Sequence, residues 1–265
     1  MKKIRKYYDD FVEKEWMRLD KHKIEFEITK RNMKKYIKNN SRILDIGSGP
    51  GRYSIYLSQL GHKVTCVDIS ENNLIFAKKK AEHFNVEIEK FINTDAINLN
   101  MIEDESYDVV LNMGPMYHIM EVENRRESIN ESLRVLKRGG ILFVSFISSY
   151  APIIDCLKKY PENIKTSEDL LNYLKDGKNI SDDLNLGFTD AYFINPHDIR
   201  PFMDLFLINE LKLTAIEGLS ALQEEKLNNL DESTFEKWID IIYKTSTDPL
   251  TWASSEHMLY IGKKK

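Results

Sequence analysis

The order of segments in this 265-residue chain predicts an α/β fold built on a doubly wound, mostly parallel sheet. Three observations predict it. Short apolar, β-branched runs alternate with amphipathic helical stretches between residues 41 and 147. The first run, Ile43-Leu44-Asp45-Ile46, feeds straight into Gly47-Ser48-Gly49-Pro50-Gly51 and then into a helical pattern. Polar residues follow each of the first four runs, where open parallel sheets hold their ligands.

Residues 7–38 are helical in pattern, with Phe11, Trp16, Leu19, Ile24, Phe26, Ile28 and Met33 spaced among many charges. One or two helices therefore precede the sheet, and residues 1–40 are taken as an N-terminal helical cap. Ser41–Ile46 is the first strand, Arg52–Leu60 a helix closed by Gly61, and His62–Ile69 the second strand. Ser70 is placed to cap a helix over Glu71–Phe84. Val86–Asn93 and Tyr107–Asn112 read as strands three and four. A helix over Asn124–Lys137 stops at Gly139-Gly140, and Ile141–Ile147 is apolar throughout, as a strand buried on both faces should be. The alternation then breaks. From Ser148 to about Leu186 the pattern is helical and polar with no strand, so 148–190 is expected to form a helical lid inserted after strand five. A helix near Pro196–Leu207, a strand Leu211–Gly218, a helix near Glu232–Lys244 and a strand Glu256–Gly262 complete a seven-stranded sheet. No linker or repeat separates these parts, and the expectation is a single domain over 1–265.

Composition narrows the function classes. With 42 % hydrophobic residues the chain can bury a full core, and it contains no apolar run of 18 residues. Its first residues lack the apolar stretch of a signal peptide, so a cytoplasmic protein without membrane attachment is expected. Cys66 and Cys156 lie far apart with no metal-ligand spacing, and the six histidines show none either, so no metal site is expected. A net charge of −4 disfavours a nucleic-acid partner, and the lysine clusters read as solvated helix faces.

The glycine spacing separates cofactor classes. A dinucleotide fingerprint requires a third glycine at position 52, where this chain has Arg52, and no Gly-Lys-Ser/Thr phosphate loop follows. Asp68 stands at the distance at which a carboxylate accepts ribose hydroxyls. Taken singly, Asp68, Asp95 and the glycines are equally ordinary turn or cap residues; their ordered occurrence is what points to a nucleoside site.

In that order the motifs of residues 40–147 resemble the class I S-adenosylmethionine-dependent methyltransferases, whose fold is Rossmann-like with an antiparallel last strand. Leu44–Gly51 is similar to the family's first motif, which implies Asp45, Gly47, Ser48, Gly49 and Gly51 around the methionine end of the cofactor. Val67-Asp68-Ile69-Ser70 resembles the second, implying Asp68 and Ile69 at the ribose. Asn93-Thr94-Asp95-Ala96 resembles the third, implying Asp95 and Ala96 at the adenine amine. Tyr107–Met113 resembles the fourth, implying backbone near Asn112 and Met113 at the amino-acid end. The cofactor implied is S-adenosylmethionine, with S-adenosylhomocysteine as product.

The segment after strand four should begin the acceptor pocket. Here it reads Asn112-Met113-Gly114-Pro115-Met116-Tyr117-His118-Ile119, which departs from the Asn/Asp-Pro-Pro-Tyr/Phe motif of amide and exocyclic-nitrogen methylation and lacks a cysteine for cytosine attack. It resembles instead the Gly-Pro-Leu-Tyr-His-Leu variant of bacterial small-molecule methyltransferases, as do Glu15–His22 and Ser255–Gly262. The expected reaction is methyl transfer to the oxygen, nitrogen or sulfur of a small molecule. His118 and Tyr117 are the first candidates for acceptor contact or general base, with His22 folding over from the N-terminal helices. Tyr7 and Tyr8 are candidates to close the cofactor pocket, and His257, in the last strand, reads as structural. An RNA or protein acceptor, or a binding module without catalysis, are the rival classes. The chain is expected to be a monomer or homodimer.

Overall fold

The computed structural model describes residues 2–165, 170–181 and 189–265; parts of the expected lid, at 166–169 and 182–188, lie outside the described residues. Three helices come first: α1 (Lys2–Asp10), α2 (Val12–Lys21) and α3 (Lys23–Tyr36). They then give way to β1 (Arg42–Ile46), α4 (Arg52–Gln59), β2 (Lys63–Asp68), α5 (Glu71–His83), β3 (Lys90–Asn93) and β4 (Tyr107–Asn112). Next come α6 (Val122–Val135), β5 (Leu136–Ile147), α7 (Ala151–Lys159), β6 (Lys178–Asn179), β7 (Ala191–Tyr192) and α8 (Ile199–Met203). β8 (Ile208–Ala215), α9 (Glu224–Asn228), α10 (Glu232–Thr245) and β9 (His257–Lys264) follow.

Seven strands form one sheet in the order β3-β2-β1-β4-β5-β9-β8. The pairs β3/β2, β2/β1, β1/β4 and β4/β5 are parallel, and β9 runs antiparallel to both its neighbours. The expected doubly wound sheet with an antiparallel last strand is thus present. Chain order reverses between β1 and β4, so their carboxyl ends form the crevice of a topological switch point.

Neighbouring residues of one strand enter opposite layers, as the two-residue period of a strand requires. Leu44 and Val110 pack on one face with Ile129 and Leu133 of α6; Ile43 and Val109 pack on the other with Ile24, Ile28 and Met33 of α3 and Ile239 of α10. Both faces are covered, which is why the central strands carry few polar residues. Leu44 is fully buried among these side chains. Leu44→Ala is expected to cost about 2–5 kcal/mol of stability. Urea unfolding checks this, with the midpoint falling and the slope unchanged.

Several boundaries differ from the sequence expectation for local reasons. The N-terminal helix is broken twice, at Phe11 and at His22, whose φ of −105° and ψ of 58° turn the chain between α2 and α3. β5 begins at Leu136, and Gly139-Gly140 is a bulge inside the strand rather than a helix stop: pairing skips from Tyr107–Leu136 to Val109–Ile141. β3 is shorter than expected, and β8 begins at Ile208. The inserted segment is not wholly helical, because β6 and β7 pair as an antiparallel hairpin. Among the described residues, no helix is long and apolar enough to cross a membrane.

Candidate functional site

The glycine loop leaves β1 and is stitched to β2 by its own backbone. Gly47 N and Ser48 N both donate to Val67 O, at 2.8 and 3.0 Å, and Gly49 N donates to Asp68 Oδ2 at 2.7 Å. Gly47 has φ +69°, and a Cβ there would lie 2.6 Å from Cδ of Pro115, so the loop and the segment after β4 touch through backbone that tolerates no side chain. Beneath the loop Asp45 Oδ2 accepts from Ser54 Oγ at 2.6 Å, and burial pushes the Asp45 carboxyl up to about 7. Cys66 donates to the same Ser54 oxygen at 3.1 Å, and burial pushes its thiol up to about 12, which makes it an inert core group.

Two cavities meet at this loop, sharing Glu15, Gly47, Gly49, Gly114 and Tyr117 as walls. The first, of about 620 Å³, is lined by Asp68, Ile69, Asn73, Thr94, Asp95 and Ala96 from the ends of β2 and β3, and is roofed by Ile4 and Tyr8 of α1 and by His118. Asp68 Oδ1 accepts from Ser70 N at 2.8 Å and Asn73 Nδ2 at 3.3 Å, while burial pushes its carboxyl up to about 6. With a single bond from Gly49, Oδ2 retains capacity to accept another. Asn73 Oδ1, buried in the same wall, has no partner among the described residues. A carboxylate with spare lone pairs and an orphan amide oxygen beside an apolar slot fit a ribose and an adenine.

The second cavity, of about 720 Å³, lies between the sheet and α2–α4. Ser48, Met113, Ser145 and Leu259 line its sheet side, and Glu15, Arg18, Glu25, Thr29 and Tyr53 come from the helices. His257 also faces it. Arg18 grips Glu25 with two nitrogens at 2.6 and 2.8 Å and reaches Glu15 at 3.0 Å. His257 Nδ1 lies 2.7 Å from Glu217 Oε1 and 4.0 Å from Glu25. Burial alone would raise Glu25, but Arg18 and His257 outweigh it and hold its carboxyl at about 2. Burial likewise opposes the His257 cation, yet Glu217 and Glu25 outweigh it and raise the imidazole to about 9. Glu217 Oε2 accepts from Ser255 Oγ and from the backbone N–H groups of Glu256 and His257. Glu25, Glu217 and His257 bring their ligand-type atoms within 4.8 Å of one another, a grouping no sequence spacing revealed. A charged residue on the buried face of α3, Glu25 among Ile24, Ile28 and Met33, was the available signal.

The structure brings most of the expected site residues together, and separates three. Asn112 does not line either cavity: it is fully buried, and its amide donates to Ser128 Oγ and Ser132 Oγ at 2.9 and 3.0 Å, so it braces the end of β4 against α6. His22 is turned away, with Nδ1 3.0 Å from Glu224. His118 lines the first cavity, but both ring nitrogens are engaged: Nδ1 meets the carbonyl of Asp190 at 3.1 Å, and Nε2 meets the Tyr8 hydroxyl at 2.5 Å. Burial lowers its pKa to about 4. A neutral ring whose lone pair already accepts from Tyr8 is a clamp for α1 rather than a base. Gly51 sits behind the loop, where its Cβ position meets Ala77 of α5 at 3.0 Å.

Residues 44–144 match the family model described as a methyltransferase domain. A ubiquinone biosynthesis O-methyltransferase of Pelagibacter ubique is 27 % identical over 183 residues, 68 % of this chain and 65 % of the relative. A demethylmenaquinone methyltransferase of Leptospira interrogans is 33 % identical over 145 residues, 52 % of this chain and 55 % of the relative. The matches thus span less than two thirds of these relatives' own lengths. The solved structure of an S-adenosylmethionine-dependent methyltransferase from Methanosarcina mazei has a TM-score of 0.59 at 18 % identity, covering 88 % of this chain and 96 % of that one, a likeness of fold.

Proposed function

We propose that this chain, whose residues 44–144 match a methyltransferase-domain model, is an S-adenosylmethionine-dependent methyltransferase that transfers a methyl group to the oxygen, nitrogen or sulfur of a small molecule. The observation that carries the acceptor class is the recess beyond the glycine loop, walled by side chains of α2–α4 and the sheet, which suits a small molecule better than a macromolecular surface. Relatives named for ubiquinone biosynthesis and demethylmenaquinone support the same class. When bound, S-adenosylmethionine supplies a methyl group on a positively charged sulfur.

In this reading Asp68 and Ile69 hold the ribose, and Asp95 and Ala96 the adenine. Asp45, Gly47, Ser48, Gly49 and Met113 surround the amino-acid end, with Gly51 and Asn112 supporting from behind. Tyr117, which borders both cavities, stands where the two ligands meet. The positive charge on the donor sulfur disappears during displacement, so the residues act chiefly by positioning and by excluding water. A cytoplasmic setting agrees with the two free cysteines.

Calorimetry with S-adenosylmethionine and S-adenosylhomocysteine tests the reading. Saturable micromolar binding is expected, weakened by at least about 100-fold, or about 2.7 kcal/mol, in Asp68→Ala combined with Asp95→Ala. No binding by the unaltered chain, or full binding by the double variant, would refute it.

A further inference from the structure

We propose that His257, oriented by Glu217, is the base that removes the proton from an ionisable O–H or S–H of the methyl acceptor. This rests on the methyl-transfer reading above and adds the acceptor's chemical class. His257 opens β9 and faces the cavity beyond the glycine loop. Glu217 holds the Nδ1 edge at 2.7 Å, and Nε2 has no hydrogen-bond partner among the described residues. A carboxylate on one imidazole nitrogen fixes the tautomer that leaves the other nitrogen's lone pair for a substrate proton. Glu217 itself is positioned by Ser255 Oγ at 2.8 Å and the backbone N–H of His257 at 2.9 Å, so the ring is held on a rigid strand end.

Other candidates in the cavity are committed elsewhere. Glu15 and Glu25 are ion-paired with Arg18, Asp45 is bonded to Ser54, and burial raises the Tyr117 phenol well above its ordinary range. The charged groups facing His257 are Glu217, Glu25 from α3 and Arg18 from α2, with the Glu256–Lys158 pair beyond them. Glu15 and Glu25 share Arg18, and Glu217 pairs with His257. In the step, the acceptor's O–H or S–H proton passes to His257 Nε2. The electron pair left on that heteroatom forms the bond to the methyl carbon, and the carbon–sulfur pair stays on sulfur. Protonated His257 then releases its proton to water.

Because the imidazole keeps its proton up to about 9, kcat/KM is expected to rise about tenfold per pH unit through neutrality and level off near that value. The experiment compares the full chain with His257→Gln. Calorimetry with S-adenosylhomocysteine should give the same affinity within about threefold, and transfer from S-adenosylmethionine to a panel of phenols and thiols should fall about 10²–10⁴-fold at pH 7.5 and lose its rising limb. NMR of the His257 ring in the unaltered chain should show a midpoint near 9, displaced downward in Glu217→Gln. A variant that binds the product yet keeps the wild-type profile overturns the proposal. So does an unaltered chain that binds cofactor but methylates no phenol or thiol, or whose turnover needs a divalent metal and stops with EDTA. Failure of the unaltered chain to bind either cofactor form overturns the methyl-transfer reading as well.

Discussion

Glu217→Leu destabilises the chain by about 3–5 kcal/mol, the expected cost of removing one partner from a buried charged pair. The carboxylate is 1 % exposed, and it alone neutralises the nearer side of His257 while accepting from Ser255 and two backbone N–H groups. Leucine fills the volume and leaves those donors without a partner. Urea unfolding measures the loss, and pH separates its electrostatic part. His257 has its pKa raised from 6.5 to about 9 in the folded state, so its contribution is complete below 6.5 and is lost as pH rises through about 9. Glu25 is lowered from 4.5 to about 2, so its contribution is present above 4.5 and is lost as pH falls through about 2. The network therefore stabilises most between these ordinary values, and the alkaline loss should be smaller in Glu217→Leu, where only Glu25 still faces the imidazole. An unchanged alkaline limb in the variant would count against the assignment.

Gly47→Val is the second large effect, and it falls on ligand binding. A Cβ at this position meets Pro115 Cδ at 2.6 Å and Cγ at 2.9 Å, on a backbone with φ +69° that β-branched residues avoid. Either the glycine loop or the Gly114-Pro115 segment must move, and both wall the two cavities. S-adenosylhomocysteine binding should weaken at least about 100-fold, equivalent to about 2.7 kcal/mol. Gly61→Ala is the control: φ is +85° there as well, but nothing lies within 4 Å of the added Cβ, so stability falls modestly and affinity stays. Equal loss of affinity in both variants would attribute the effect to general unfolding.

The sheet was legible because its information is local. Runs such as Ile43–Ile46 and Val109–Leu111 announce strands buried on both faces, and the glycine loop announces its own turn. That Asp68, Asp95 and the glycine loop line one cavity was legible for the same reason, since each follows a strand end directly. Where the reading failed, the deciding contact was distant in sequence. His118 is a candidate for acceptor contact or base in the sequence, but the hydroxyl of Tyr8, 110 positions away on α1, lies on its Nε2. The partners of His257 were not legible, because neither Glu217 nor Glu25 is near it in the chain. Gly139-Gly140 looked like a helix stop because a bulge and a C-cap ask for the same residue, and only the register of β4 against β5 tells them apart.

The clamp between Tyr8 and His118 has a kinetic consequence. α1 roofs the nucleoside cavity and is fastened at its start by the Lys3–Asp190 ion pair as well as by that hydroxyl–imidazole bond. If entry of an adenosine derivative requires this helix to swing aside, a unimolecular opening step precedes capture. At high ligand concentration the observed association rate then reaches a ceiling set by the helix, and the same ceiling governs how quickly spent ligand escapes.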